Sequence, residues 1–80
     1  MNQYVATFHT HVSALITSRA LTALGVSARM APVPRKLSSS CGTCVFYAAE
    51  TPQLDAMDQD VESVYRQTPE HTFVEVSVHS

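Results

Sequence analysis

The chain has only two cysteines and five basic residues among its 80. Nowhere does it hold an apolar run approaching the ~18 residues of a membrane-crossing helix. Each shortage removes a class of function. Five basic against seven acidic residues give a formal charge of −2, and Arg19, Arg29, Arg35, Lys36 and Arg66 are scattered along the chain. The basic face of a nucleic-acid binder is therefore missing. The opening MNQYVATFHTHV shows neither a charged leader nor the continuous apolar core of a signal peptide, so the expectation is a soluble, cytoplasmic protein with no membrane partner. In a reducing cytosol a lone close pair of cysteines points to reactive or metal-binding chemistry before a structural staple. A bridge over so short a loop would also restrict little of the unfolded chain. The spacing of four zinc ligands is absent, and no metal or organic cofactor is expected. There are no repeats, long linkers or low-complexity tracts.

What is present is 45% apolar content in regular patterns, which argues against disorder and for one small domain over residues 1–80. Tyr4 to Phe8 reads as a strand, being rich in β-branched and aromatic residues. Thr10 is placed to cap a helix from His11 to Leu24. Val12, Ile16, Ala20 and Leu24 recur at fours, and Leu15 and Ala23 widen the stripe, as for a helix packed on a sheet. Gly25 supplies the left-handed stop. Val26, Ala28 and Met30 alternate with polar or small residues as a half-buried strand, and Pro32 and Pro34 make it an edge. Residues 35–42 form a polar loop. Cys44 to Ala48 is the most apolar strand and so a central one. Thr51-Pro52 reads as the start of a second helix, with Leu54, Met57, Val61, Val64 and Tyr65 at helical spacing and Asp55, Asp58, Asp60 and Glu62 on its wet side. Thr72 to His79 is a final strand.

The order β-α-β-β-α-β with right-handed crossovers predicts an α+β, ferredoxin-like domain: a four-stranded antiparallel sheet with two helices on one face. In that topology the first helix begins at the same end of the sheet as the loop between the second and third strands. His9, Thr10 and His11 should therefore lie near the stretch SSSCGTC, despite thirty residues of separation.

That stretch, residues 38–44, contains both cysteines. The thiolate is the nucleophile in sulfur chemistry. Three neighbours could favour it at Cys41: the free N–H groups opening the first helix, Arg35 with Lys36, and the second thiol. Cys41, on the loop, is expected to be the exposed attacking sulfur and Cys44, entering a strand, the resolving one; Gly42 permits the tight backbone between them. A thioredoxin-type site places C-x-x-C at the start of a helix, whereas here Val45, Phe46 and Tyr47 follow. Both cysteines as inert small residues, and a metal site completed by His9 and His11, are the competing readings. His71 and His79 are expected to be solvated.

At APVPRKLSSSCGTCVFY the chain resembles the selenium/sulfur carrier protein-like family of small bacterial domains. Three features match: a strand-then-His segment opening the first helix (TFHTHVSAL), a Val-Pro-Arg after the second strand (Val33, Pro34, Arg35), and a Ser-rich run into Cys-Gly (Ser38 to Gly42). The resemblance covers roughly residues 4–66. It implies that Cys41 carries sulfur or selenium as a persulfide or selenosulfide, with Arg35 and His11 at positions where the family shows similar residues. It implies too a donor enzyme and an acceptor protein as partners. Cys44 departs from the pattern, since a small apolar residue is usual there. The expected function is thus a sulfur/selenium carrier using Cys41, with Cys44 as resolver and Arg35, Lys36, His9 and His11 in support. A non-catalytic interaction module and a small dithiol oxidoreductase are the alternatives. An exposed strand edge could pair with a second copy to give a homodimer.

Overall fold

The computed structural model describes residues 1–76. Five strands and one α-helix follow in the order β1 (Asn2–Phe8), α1 (His11–Ala23), β2 (Ser27–Pro32), β3 (Thr43–Ala49), β4 (Val61–Gln67) and β5 (Phe73–Val76), with a single 3₁₀ turn (Leu54–Ala56) between β3 and β4. The strands form one antiparallel sheet in the order β2-β3-β1-β4-β5. The β1-α1-β2 crossover skips one place, leaving β3 between β1 and β2, as a ferredoxin-like order requires. As expected, β2, ending at Pro32, is an edge. None of the described helices is long and apolar enough to cross a membrane.

The sequence reading of four strands and two helices is corrected in two places. The segment read as the second helix is a turn followed by β4, an extra strand that takes the place beside β1, and the expected final strand, β5, lies outside it at the sheet edge. That last strand begins at Phe73, while Ser77 to His79, included in the expected span, lie outside the described residues. The helical spacing of Val61 and Val64 arises from a β-bulge. Val64 pairs with Ala6 and Ser63 with Thr7, but Val61 pairs with Phe8, so Glu62 is the extra residue. An inserted residue shifts the phase of a strand by one. Val61 and Val64 therefore both reach the core from one strand, three apart instead of two or four. Upstream, Gln53 sits in the left-handed region at φ 53°, which ends any helix begun at Thr51-Pro52. The segment is tied down through α1: the Ser13 hydroxyl donates to Asp58 Oδ2 at 2.8 Å, and the Asp58 amide donates to Thr17 Oγ1 at 2.9 Å. Asp58 is thus a docking point, where a wet acidic face was expected.

Helix α1 is built at its ends as the sequence indicates. Thr10 accepts from the Ser13 amide at 3.1 Å. At the other end Gly25 stands at φ 81°, while the amides of Gly25 and Val26 return to the carbonyls of Thr22 and Leu21, the Schellman pattern that satisfies the last turn. The face it buries is a different one from the apolar stripe. Ser13, Ala14, Thr17 and Leu21 are buried, whereas Val12, Leu15, Ile16 and Leu24 are exposed. The reason is local: Ser13 and Thr17 find partners at Asp58, and Ala14 lets the helix approach closely. The core beneath contains Tyr4, Ala6 and Phe8 of β1, Val45 and Tyr47 of β3, and Val61 and Val64 of β4, with Tyr4 and Tyr47 stacked at 5.2 Å.

Candidate functional site

β1 and β2 end, and β3 and β4 begin, at one end of the sheet. The loop of residues 33–42 starts and finishes there, and α1 opens there, so the residues around Cys41 meet both ends of β1's exit. The expected proximity of His9 and His11 to the SSSCGTC stretch is found: His11 Nδ1 lies 3.2 Å from Thr43 Oγ1, and His9 Nδ1 lies 3.5 Å from Ser40 Oγ. The base of the loop is closed by the Val33 amide donating to the Gly42 carbonyl at 3.1 Å. Gly42 stands at φ 75° with open space where a Cβ would be, so the glycine is required by backbone conformation alone.

Glu62 is the residue that sequence reasoning missed. Its Oε1 accepts from the Ser40 amide at 2.8 Å and lies 3.2 Å from the Ser39 hydroxyl; its Oε2 accepts from the Ser40 hydroxyl at 3.1 Å. His9 Nδ1 is 3.8 Å away. The Ser39 hydroxyl also lies 2.9 Å from the Phe8 carbonyl, so its single proton is shared between the end of β1 and the bulge. Partial burial alone would raise Glu62, but the Ser40 amide, the Ser40 and Ser39 hydroxyls and the His9 imidazole outweigh it and hold the carboxyl below its usual range. The carboxylate is thus the fixed point to which the residues preceding Cys41 are tied. The only sequence sign of this was a glutamate between two valines at a spacing belonging to neither a helix nor a regular strand.

The two thiols have different surroundings. Cys41 is half-buried, its side chain packed against the helix-side core. Among the described residues its Sγ has two hydrogen-bond partners, the Thr43 carbonyl at 3.6 Å and Ser39 Oγ at 3.9 Å. Cys44 is paired in register with Thr7 and Ala31 and projects from the face opposite α1. It has no solvent exposure, and its Sγ donates to the Pro32 carbonyl at 3.6 Å. Burial pushes its thiol up to about 11, with Arg29 opposing and Cys41 reinforcing the rise. Both cysteines are free.

Of the two basic residues expected around Cys41, Lys36 is engaged elsewhere. Lys36 Nζ donates to the His71 carbonyl at 3.4 Å, in the turn between β4 and β5 at the far end of the sheet. Arg35 is exposed and makes no hydrogen bond or ion pair among the described residues. The structure therefore gathers His9, His11, Gly42 and Cys41 at one sheet end, with Cys44 behind the sheet and Lys36 turned away. Among the described residues no three His, Cys, Asp or Glu side chains converge to hold a metal ion.

A model of the family described as "Putative Se/S carrier protein-like" matches residues 3–63. The chain is also 35% identical over 46 residues to "Uncharacterized protein YtiA" of Escherichia coli (strain K12). That stretch is 58% of this chain and 54% of YtiA, so the chain spans about half the length of this curated relative. No solved structure matches the chain.

Proposed function

This chain belongs to the "Putative Se/S carrier protein-like" family, and from that premise we propose that it accepts and hands on a sulfur or selenium atom at Cys41. The observation that carries the reading is the contrast between the thiols. Cys41 has solvent access on a loop pinned by Glu62, whereas Cys44 is closed off. In the loading step the Cys41 thiolate attacks the outer sulfur of a donor persulfide. A new S–S bond forms on Cys41, the donor's S–S bond breaks, and the donor leaves as a thiolate. Delivery is the same displacement in reverse, with an acceptor thiolate attacking the carried atom, so neither step needs an added oxidant or reductant. A carried selenium would move by the same displacement. The partners are a donor enzyme and an acceptor protein, and the compartment is the cytoplasm, where thiols stay reduced.

A resolving role for Cys44 asks for more, because its sulfur would have to leave the β2–β3 pairing to reach Cys41. The loading assay addresses both cysteines. The chain is incubated with glutathione persulfide, and intact mass is read for wild type, Cys41→Ser and Cys44→Ser. The expected result is the gain of one sulfur atom in wild type and Cys44→Ser and none in Cys41→Ser. A longer-lived adduct in Cys44→Ser would assign Cys44 the resolving step. Loading that survives Cys41→Ser would overturn the carrier site.

A further inference from the structure

The apolar stripe that the spacing of α1 directs toward the core faces solvent. Val12 is 63% exposed, Ile16 48% and Leu24 62%, with Leu15 at their flank. At 100° per residue, Arg19 falls at the middle of this stripe, between Leu15 and Ile16. Arg19 is exposed, makes no ion pair among the described residues, and α1 contains no acidic residue to serve it. The stripe begins at the sheet end that carries the cysteine loop: Val12 follows His11, whose Nδ1 lies 3.2 Å from Thr43 Oγ1, two residues along the chain from Cys41.

A folded domain that directs Val12, Leu15, Ile16 and Leu24 outward, while burying Ser13 and Thr17, presents a surface for something else to cover. Size and charge decide what. Four part-exposed aliphatic side chains offer on the order of a few hundred Å², short of the roughly 600 Å² that each partner buries in even a small stable complex. A twofold pairing of two such ridges would also bring two Arg19 guanidinium groups together with no carboxylate between them. A small apolar patch with a central unpaired cation suits a brief encounter with a different protein of opposite charge.

We propose that the outer face of α1 is the docking ridge for the protein that exchanges sulfur or selenium with Cys41, and that this partner presents an apolar groove with a carboxylate placed to meet Arg19. The partner's role rests on the carrier reading; the ridge and the chemistry of its occupant do not.

The test places the photo-crosslinking residue p-benzoylphenylalanine at Ile16 of the full chain, produced in the cells that naturally make it. The expected adduct is with a second, different protein. It falls about tenfold with Arg19→Glu, is retained with Arg19→Lys, returns with Arg19→Glu when the partner's carboxylate is changed to lysine, and is absent when the probe sits at Ser27 on β2. These positions are all exposed, and unchanged thermal melts confirm that the variants fold. No adduct, an adduct between two copies of this chain, or an adduct indifferent to Arg19→Glu overturns the proposal. The two readings fail separately. A charge-dependent adduct whose purified partner exchanges no sulfur with Cys41 removes the carrier reading and leaves the ridge. Loading of Cys41 without any adduct does the reverse.

Discussion

Cys41 and Cys44 stand three positions apart, yet Cys44 has lost all contact with solvent and Cys41 has not. Burial keeps the Cys44 thiol protonated in the folded chain up to about pH 11, whereas an ordinary thiol ionises near 9. Between those values the unfolded chain has released this proton and the folded chain still holds it, so the unfolded state is favoured as pH rises. The stability tied to Cys44 is therefore complete below about pH 9 and falls through the interval to about 11, by roughly 2–3 kcal/mol at most. Tyr47, also raised, first by burial and then by Tyr4, adds its own loss at the upper end. Urea unfolding at a series of pH values separates them: the Cys44→Ala variant should lack the part of the slope that begins near pH 9. Identical slopes in the two chains would show that Cys44 ionises as freely folded as unfolded.

At the scale of elements, the parts legible in the sequence are those governed by local rules. Thr10 caps and Gly25 stops α1 because capping chemistry needs nothing from the rest of the fold. The alternation of Ala28 and Met30 gives β2, and Pro32 places it at an edge. From these came the strand order and, with it, the meeting of His9 and His11 with the cysteine loop. The parts not legible are those where a distant residue overrides a local pattern. Ser13 and Thr17 turn inward because Asp58, more than forty positions away, accepts from one and donates to the other. The apolar stripe of α1 therefore lies on the side opposite to the one its spacing indicates. Val61 and Val64 imitate a helix because an unpaired Glu62 stands between them. The same insertion hid the carboxylate that organises the loop. Sequence proximity puts Lys36 beside Cys41, but the loop carries it to the His71 carbonyl instead.

For the molecule as a whole, one core holds a sheet covered by a helix on a single face, without a covalent or metal staple among the described residues. A chain of this size is expected to unfold in one step with a stability of about 4–8 kcal/mol. Because both thiols are free in the folded state, a reductant should leave the urea midpoint unchanged; a lower midpoint in its presence would reveal a disulfide contributing to the fold. The bulge at Glu62 also bears on which residues this architecture can shed. Deleting Glu62 would bring Val61 to two positions before Val64, restoring an unbroken two-residue alternation opposite Ala6 and Phe8. Shortening by one residue is ordinarily ruinous inside a central strand, yet at this position it regularises the pairing. The shortened chain should melt within a few degrees of the parent, while the segment 34–42, no longer tied to a carboxylate, becomes the first site of proteolytic cleavage. A lineage could therefore lose the carboxylate that pins the cysteine loop by a single codon deletion and keep its fold.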